Sequence, residues 1–347
     1  MKVGIVGCGE VSSRHFNAWR DTGLSIAAVC DVNKNAAMQA AKKWGIPSYY
    51  TDLSRMLQSE DLFVISICAP PQFHADLVIE ALESACHVVV EKPFTVTTKE
   101  ADKVMNTLRK SSAKLTVIHN QLFEQSMLLA MKQIKAGSIG EVVGMNVGML
   151  HSKDEQMVAN KNHWCHTLPG GRFGETLPHS VYLLQAVLGK LEVKSIFVDK
   201  LGEYPWMPFD DLRVILQNDR KFGTIHISYN APRFQIGNVY VDIHGTCGAL
   251  RAGIYPLNSF LVSKPGREIW LSENIIQQAK IGLTYLSMLL KRRGLKRLEG
   301  FSASHTLIIK SFVKSILSNE EPLVTPEMGY GNVRIVEQIC RQIDRAL

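Results

Sequence analysis

The 347-residue chain contains no CxxC pair, and its seven cysteines form an odd, scattered set. That spacing excludes a disulfide framework, and Cys30, Cys68 and Cys86, in or beside apolar runs, read as small hydrophobes. No apolar stretch approaches the roughly 20 residues that cross a bilayer, so no membrane-spanning helix is expected. No secretory leader is expected, because Met1-Lys2 passes at once into Val3-Gly4-Ile5-Val6, a run too short and too soon broken by glycine. The expected compartment is therefore the cytoplasm. Low-complexity tracts and internal repeats are absent. The net charge of +7 comes with no DNA- or RNA-binding motif, so it suits phosphorylated or acidic small ligands, and no nucleic-acid partner is expected.

What is present is the composition of an ordinary globular protein, 46% hydrophobic and 20% charged, in a chain long enough for two cores. Short apolar runs at 2–6, 25–30, 62–68, 87–90 and 114–118 are separated by helical patterns at 10–20, 33–44, 52–58, 73–83 and 97–110. Such alternation predicts an α/β domain, a doubly wound parallel sheet with helices on both faces. Past Asn120 the pattern changes. A helix over 124–135 and a strand over 141–150 precede a loop rich in His, Trp, Gly and Pro to residue 174. A helix over 176–188 and five mostly alternating strands follow, and helices at 304–317 and 328–343 close the chain. We therefore expect a dinucleotide-binding domain over 1–120 and, over 121–347, a substrate-binding and oligomerisation domain of α+β type, whose large, open, mostly antiparallel sheet buries one face on helices and leaves the other for solvent or a partner subunit.

Gly7-Cys8-Gly9 stands where the first strand meets the first helix, the place where backbone N–H groups approach a pyrophosphate. Ser12 replaces the third glycine of that fingerprint. Asp31, at the end of the second strand and about 20 residues on, is placed to hold both ribose hydroxyls and to repel a 2′-phosphate, which favours NAD over NADP.

Two further segments, Cys68-Ala69-Pro70-Pro71-Gln72-Phe73-His74 and Val90-Glu91-Lys92-Pro93, carry a PPxxH turn and a Glu-Lys-Pro. With these the sequence resembles the family of glucose-fructose oxidoreductase, inositol dehydrogenase and MocA proteins, through Asn120, the Gly137 to Gly140 turn and Thr325 to Gly329. The resemblance implies a Rossmann domain followed by an α/β domain that makes the oligomer interface. It also implies cofactor contacts from Gly7, Cys8, Gly9, Glu10, Val11, Asp31, Ala69, Pro70, His74, Glu91 and Lys92. Lys92, at the carboxyl end of a strand in a doubly wound sheet, can hydrogen-bond a substrate hydroxyl and stabilise a developing alkoxide; in the family the bond before this proline is commonly cis.

Gly170 to His179 resembles the family segment in which a glycine-rich loop precedes an acidic residue and, four residues on, a catalytic histidine. That spacing lets Glu175 orient His179 as the base. The segment departs from the family in Glu for Asp, in Pro178, which suggests that the helix begins there, and in Tyr182 for a later acidic residue.

His163-Trp164-Cys165-His166 has no second cluster to complete a metal set. No metal is expected, and His163, Trp164 and Arg172, with Asn120, are expected at the substrate. The apolar run Ile281 to Leu290 precedes five basic residues in the seven of Lys291 to Arg297. That stretch suits a subunit-packing helix with a solvated basic end, or contact of 281–297 with an anionic membrane surface.

The expected activity is NAD-dependent hydride transfer at a hydroxyl carbon of a sugar, cyclitol or nucleotide sugar. Two alternatives stay open: redox-neutral glycoside cleavage that retains NAD, and a non-catalytic NAD-binding regulator.

Overall fold

In the computed structural model of the chain, the structure describes residues 1–231, 238–255, 259–263, 275–276, 278–280, 282–283, 286 and 302–346. These residues divide into two compact units.

The first unit is built on a sheet in the order β3-β2-β1-β4-β5-β6, every neighbouring pair parallel. Its strands are β1 (Lys2–Val6), β2 (Ser25–Cys30), β3 (Ser48–Tyr50), β4 (Val64–Ile67), β5 (His87–Val90) and β6 (Leu115–Val117). Every residue of β4 is buried, as befits strands covered on both faces. The helices are α1 (Ser12–Arg20), α2 (Lys34–Trp44), α3 (Leu53–Ser59), α4 (His74–Glu83) and α5 (Thr98–Leu108). Local chemistry sets their ends. Asn33 caps α2 and Gly45, at φ 66°, closes it, while Thr97 and Glu100 form a reciprocal capping box on α5. The strand order reverses beside β1, so the carboxyl ends of β1 and β4 flank the crevice where such sheets bind ligands.

The second unit has a seven-stranded sheet in the order β13-β12-β11-β7-β10-β9-β8. Its strands are β7 (Val142–Leu150), β8 (Glu192–Asp199), β9 (Asp211–Asn218), β10 (Lys221–Ser228), β11 (Val239–Gly245), β12 (Gly248–Tyr255) and β13 (Ser259–Ser263). All pairs are antiparallel except β7 with β10. Helices α6 (Gln125–Lys135) and α8 (Arg172–Leu188) pack on this sheet, and a short α7 (Gln156–Ala159) lies in the loop after β7. Gly223 of β10 lies against α8, since a Cβ there would sit 3.0 Å from Leu184. On the opposite face Phe197, Phe222 and Leu261 stand exposed.

The structure corrects the sequence reading at three places. Residues 302–333 belong with the first unit rather than the second, because Ile308, Ile309 and Phe312 of α9 (Ala303–Leu317) fill its core beside Phe16 and Trp19. The closing helix α10 (Pro326–Arg345) gives Val333 to the first unit's other core cluster, with Phe94 and Val117. Helix α8 begins at Arg172, six residues before Pro178, which lies inside it. The proline's missing N–H falls opposite the carbonyl of Gly174, where no side chain crowds the ring. Finally, β3 forms between the helical patterns at 33–44 and 52–58, where no strand was expected. Most of 281–297 lies outside the described residues, and no helix among the described residues is long and apolar enough to cross a membrane.

Candidate active site

The candidate residues divide between the two units. On the first, Gly7 adopts φ +88°, and a Cβ there would meet Ala69 N and the Cys68 carbonyl carbon at 2.6 Å. The turn thus runs directly against the end of β4, and only glycine fits. A Cβ at Gly9 would meet nothing within 4 Å, which leaves open space beside the backbone. Ser12 is buried and donates its hydroxyl to Gly9 O at 2.6 Å, so the replaced glycine costs no unsatisfied group.

Asp31 is fixed from both oxygens. Cys8 N donates to Oδ2 and Asn33 N to Oδ1, each at 2.8 Å. The carboxylate stays partly exposed at the end of β2, and the next residue, Val32, is 93% exposed. Burial, then the charge of Asp31, pushes the Cys8 thiol up to about 12; it remains protonated, and Cys8 acts through its backbone. Glu10 is exposed and Val11 half-buried, at an α1 N-terminus that no side chain caps. Ala69 and Pro70 are partly exposed at the end of β4. This arrangement suits a dinucleotide: a close-approach turn, an uncapped helix N-terminus and an anchored carboxylate.

Two residues expected at the cofactor are instead part of the frame. His74 is fully buried, with Nδ1 2.7 Å from Pro93 O and Nε2 2.8 Å from Ala69 O. It ties the turn after β4 to the segment after β5, and its burial lowers its pKa despite those carbonyls. Glu91 is 6% exposed, and its Oε1 meets His15 Nε2 at 2.9 Å and His305 Nε2 at 3.1 Å. Burial alone would raise this carboxyl; the two imidazoles outweigh it and hold it well below the usual carboxylate range. Both side chains were expected at NAD because they adjoin the motif, but burial turns them inward. Lys92 follows, half-exposed at the carboxyl end of β5, with a cis bond to Pro93. Asn120 opens a 3-10 turn just after β6, also half-exposed.

On the second unit the glycines before α8 have separate reasons. Gly170 has φ +69°, and a Cβ there would strike Cys340 Sγ at 2.9 Å; one on Gly174 would strike Pro169 O at 2.3 Å. Arg172, expected at the substrate, is 4% exposed. Its Nη1 pairs with the Glu175 carboxylate and bonds Thr176 Oγ1 at 2.6 Å, and its guanidinium lies 5.0 Å from the Tyr229 ring centre. Arg172 therefore braces the start of α8 from within, because a buried guanidinium needs an anionic partner and Glu175 supplies it.

His179 is half-exposed, and Tyr182 Oη lies 2.7 Å from its Nδ1. Tyr182, noted in the sequence only as a departure, thus orients the imidazole from that side. In the loop, His163 Nδ1 accepts Cys165 N at 3.3 Å, its ring 5.3 Å from half-exposed Trp164. The Cys165 thiol is buried and donates to Met157 O. These atoms thus go to backbone groups. Besides Tyr182, the sequence reading missed His15, Ser66, Trp19 and His305. Ser66, a lone polar residue inside the apolar run of β4, was the available signal.

The chain matches the model of an oxidoreductase family with an NAD-binding Rossmann fold over residues 1–119, and that family's C-terminal alpha/beta domain over residues 131–345. It is 31% identical over 144 residues to the D-glucoside 3-dehydrogenase of Escherichia coli strain K12, covering 41% of each chain. It is 21% identical over 341 residues to the myo-inositol 2-dehydrogenase of Thermotoga maritima, covering 95% of this chain and 92% of that one. The matches to the first curated relatives span 41%, 61% and 37% of those proteins, less than two thirds of their length. In fold the chain is similar to the WlbA dehydrogenase from Bordetella pertussis in complex with NADH and UDP-GlcNAcA. The TM-score there is 0.83 at 20% identity, over 100% of this chain and 96% of that one. With both domain models matched in order, this chain belongs to the glucose-fructose oxidoreductase, inositol dehydrogenase and MocA family of oxidoreductases.

Proposed function

We propose that the chain is an NAD-dependent oxidoreductase that moves hydride between a hydroxyl-bearing carbon of a sugar, cyclitol or nucleotide sugar and the nicotinamide. The observation that carries this is Lys92, at the end of a strand in the sheet that also presents the Gly7 to Gly9 turn and the anchored Asp31. Asp31 takes the ribose hydroxyls with the lone pairs that Cys8 and Asn33 leave, and its charge disfavours a 2′-phosphate. When bound, NAD supplies the hydride acceptor. The proton is the protein's task. Lys92 donates to the substrate oxygen and stabilises it as charge develops, and His179, oriented by Tyr182, takes the hydroxyl proton. Glu175, paired with Arg172, is assigned to the start of α8, while Asn120, His163 and Trp164 are assigned to substrate contact.

Seven cysteines, with no disulfide among them, support a reducing compartment, the cytoplasm. The open sheet face, with Phe197, Phe222 and Leu261 at 62%, 50% and 45% exposure, supports pairing with a second copy.

A panel of free sugars, cyclitols and nucleotide sugars followed for NADH formation tests the reading. A substrate should emerge whose turnover is abolished in Lys92→Met and His179→Asn while NAD titration of His179→Asn stays within about twofold of the parent, RT ln 2 being well under 1 kcal/mol. Turnover that persists in both variants removes the assigned chemistry. Glycoside cleavage with NAD retained selects the redox-neutral alternative, and no hydride exchange at all selects the regulator.

A further inference from the structure

Glu91 sits one peptide bond before Lys92 and its own side chain is nearly sealed from solvent. The chain brings it two imidazoles from far away in sequence, His15 on α1 and His305 on α9, both to the same oxygen, Oε1. The other oxygen, Oε2, accepts Lys92 N at 3.2 Å.

The hydroxyls around the histidines decide where the protons are. Trp19 Nε1–H donates to Ser66 Oγ at 2.9 Å, so the Ser66 hydroxyl turns its own proton to His15 Nδ1, 2.8 Å away. That leaves the His15 proton on Nε2, aimed at Glu91. At the second histidine, Ser302 Oγ accepts the backbone N–H of His305 at 3.4 Å and lies 2.7 Å from its Nδ1. The Glu91 carboxylate can only accept, so His305 carries its proton on Nε2; Ser302 then donates to Nδ1 and accepts the hydroxyl of Ser304, 2.9 Å away. Two neutral imidazoles thus converge on one carboxylate, and the charge stays on Glu91, beside the peptide that carries Lys92. His15, Glu91 and His305 also bring three donor atoms within 4.8 Å of one another. A bound cation would need both Nε2 lone pairs, which this proton arrangement occupies.

We propose that His15 and His305 are positioning residues for Lys92. They fix the direction of the Glu91 carboxylate, whose other oxygen holds the Lys92 backbone N–H, and so set the placement of Lys92 at the end of β5. Residues 302–305, supplied from the late part of the chain, complete the dinucleotide-binding half in this way. The proposal rests on reading Lys92 as the group that meets substrate.

The test needs no substrate. Trace acetylation with acetic anhydride, read by peptide mass spectrometry, gives the reactivity of Lys92 against exposed Lys99 in the same chain. With His305→Leu, the Glu91 carboxylate loses one of the donors that fix it, the peptide of Lys92 is held less firmly, and Lys92 labelling relative to Lys99 should change by about threefold or more. His305→Gln, which keeps an N–H, should restore the rate to near that of the parent. Unchanged labelling in a folded His305→Leu variant overturns the proposal. If that variant does not fold, Ser302→Ala, which releases the tautomer, carries the same expectation, and an unchanged rate there overturns it equally. A stoichiometric rise in melting temperature with zinc chloride that His305→Gln abolishes would also overturn it, in favour of a cation site. Turnover of Lys92→Met on a substrate from the panel is the separate arm. If it persists, the catalytic reading of Lys92 falls, while the labelling still decides whether the histidines position it.

Discussion

Gly7 and Asp31 do different work, and separate measurements distinguish them. Gly7→Ala places a Cβ against backbone atoms at 2.6 Å in a left-handed conformation. The substitution should destabilise the protein by about 2 kcal/mol or more, visible as a lower urea midpoint. Asp31→Ala removes no packing. It frees Cys8 N and Asn33 N, so it should lower the midpoint by less than Gly7→Ala does, weaken NAD about tenfold or more through the lost charged hydrogen bonds, and narrow the preference over NADP; equal NAD affinity in fluorescence titration would remove Asp31 from the site. Acid sensitivity has its own residues. His119 is fully buried and held down at about 3 against an ordinary 6.5, chiefly by burial. The unfolded chain therefore takes up a proton near 6.5 that the folded one refuses until near 3, and stability falls as pH drops through that window. Glu91, depressed in the fold, acts in the same direction below its ordinary 4.5. Denaturation between pH 6 and 4 should show a slope that His119→Gln reduces by about 1.4 kcal/mol per pH unit, the value for one proton.

Among the elements, α9 departs most from what the sequence conveys. Its apolar periodicity identifies a helix, but periodicity says nothing of which core the helix joins. Phe312, 1% exposed, packs with Phe16, Trp19 and Val29 of the first unit. Phe312→Ala should cost about 3–5 kcal/mol and lower hydrogen-exchange protection in α1 and β1 first; loss confined to the second unit's strands would contradict the assignment. The parallel strands, the glycine turn, Asp31 and Lys92 were legible because each depends on neighbours within one βα repeat. Trp19 and Ser66, His15 and Glu91, and above all His305 were not, because their meaning arises only when β1, β4, β5 and two helices meet. Arg172 and Glu175 show the converse. Their spacing was read toward solvent and catalysis, but the turn at Gly171 begins α8 early and rotates both into an internal ion pair. Tyr182, one turn from His179, could have been found from its spacing of three, which places two residues on one helical face.

At the scale of the whole molecule, the open face of the second sheet is the feature a lone copy does not explain. Register places Phe197 beside Arg213, and Arg213 beside His226, while Leu261 lies beside Arg251, which pairs with Asp242. Apolar and charged groups therefore alternate along a broad, flat, twisted surface whose reverse side is sealed by α6 and α8. A self-complementary two-fold contact suits such a surface, since each Phe and each ion pair meets its equivalent or its neighbour across the axis. If two copies join there, charge placed at the exposed aromatic positions must be buried unpaired on association. Phe197→Asp combined with Phe222→Asp should therefore reduce the mass in sedimentation equilibrium to that of one chain. The urea midpoint, extrapolated to low concentration, and NAD affinity should stay near those of the parent, because neither residue reaches the core or the dinucleotide turn. A parent that sediments as a single chain, or a variant whose mass does not fall, would remove this face as the subunit contact.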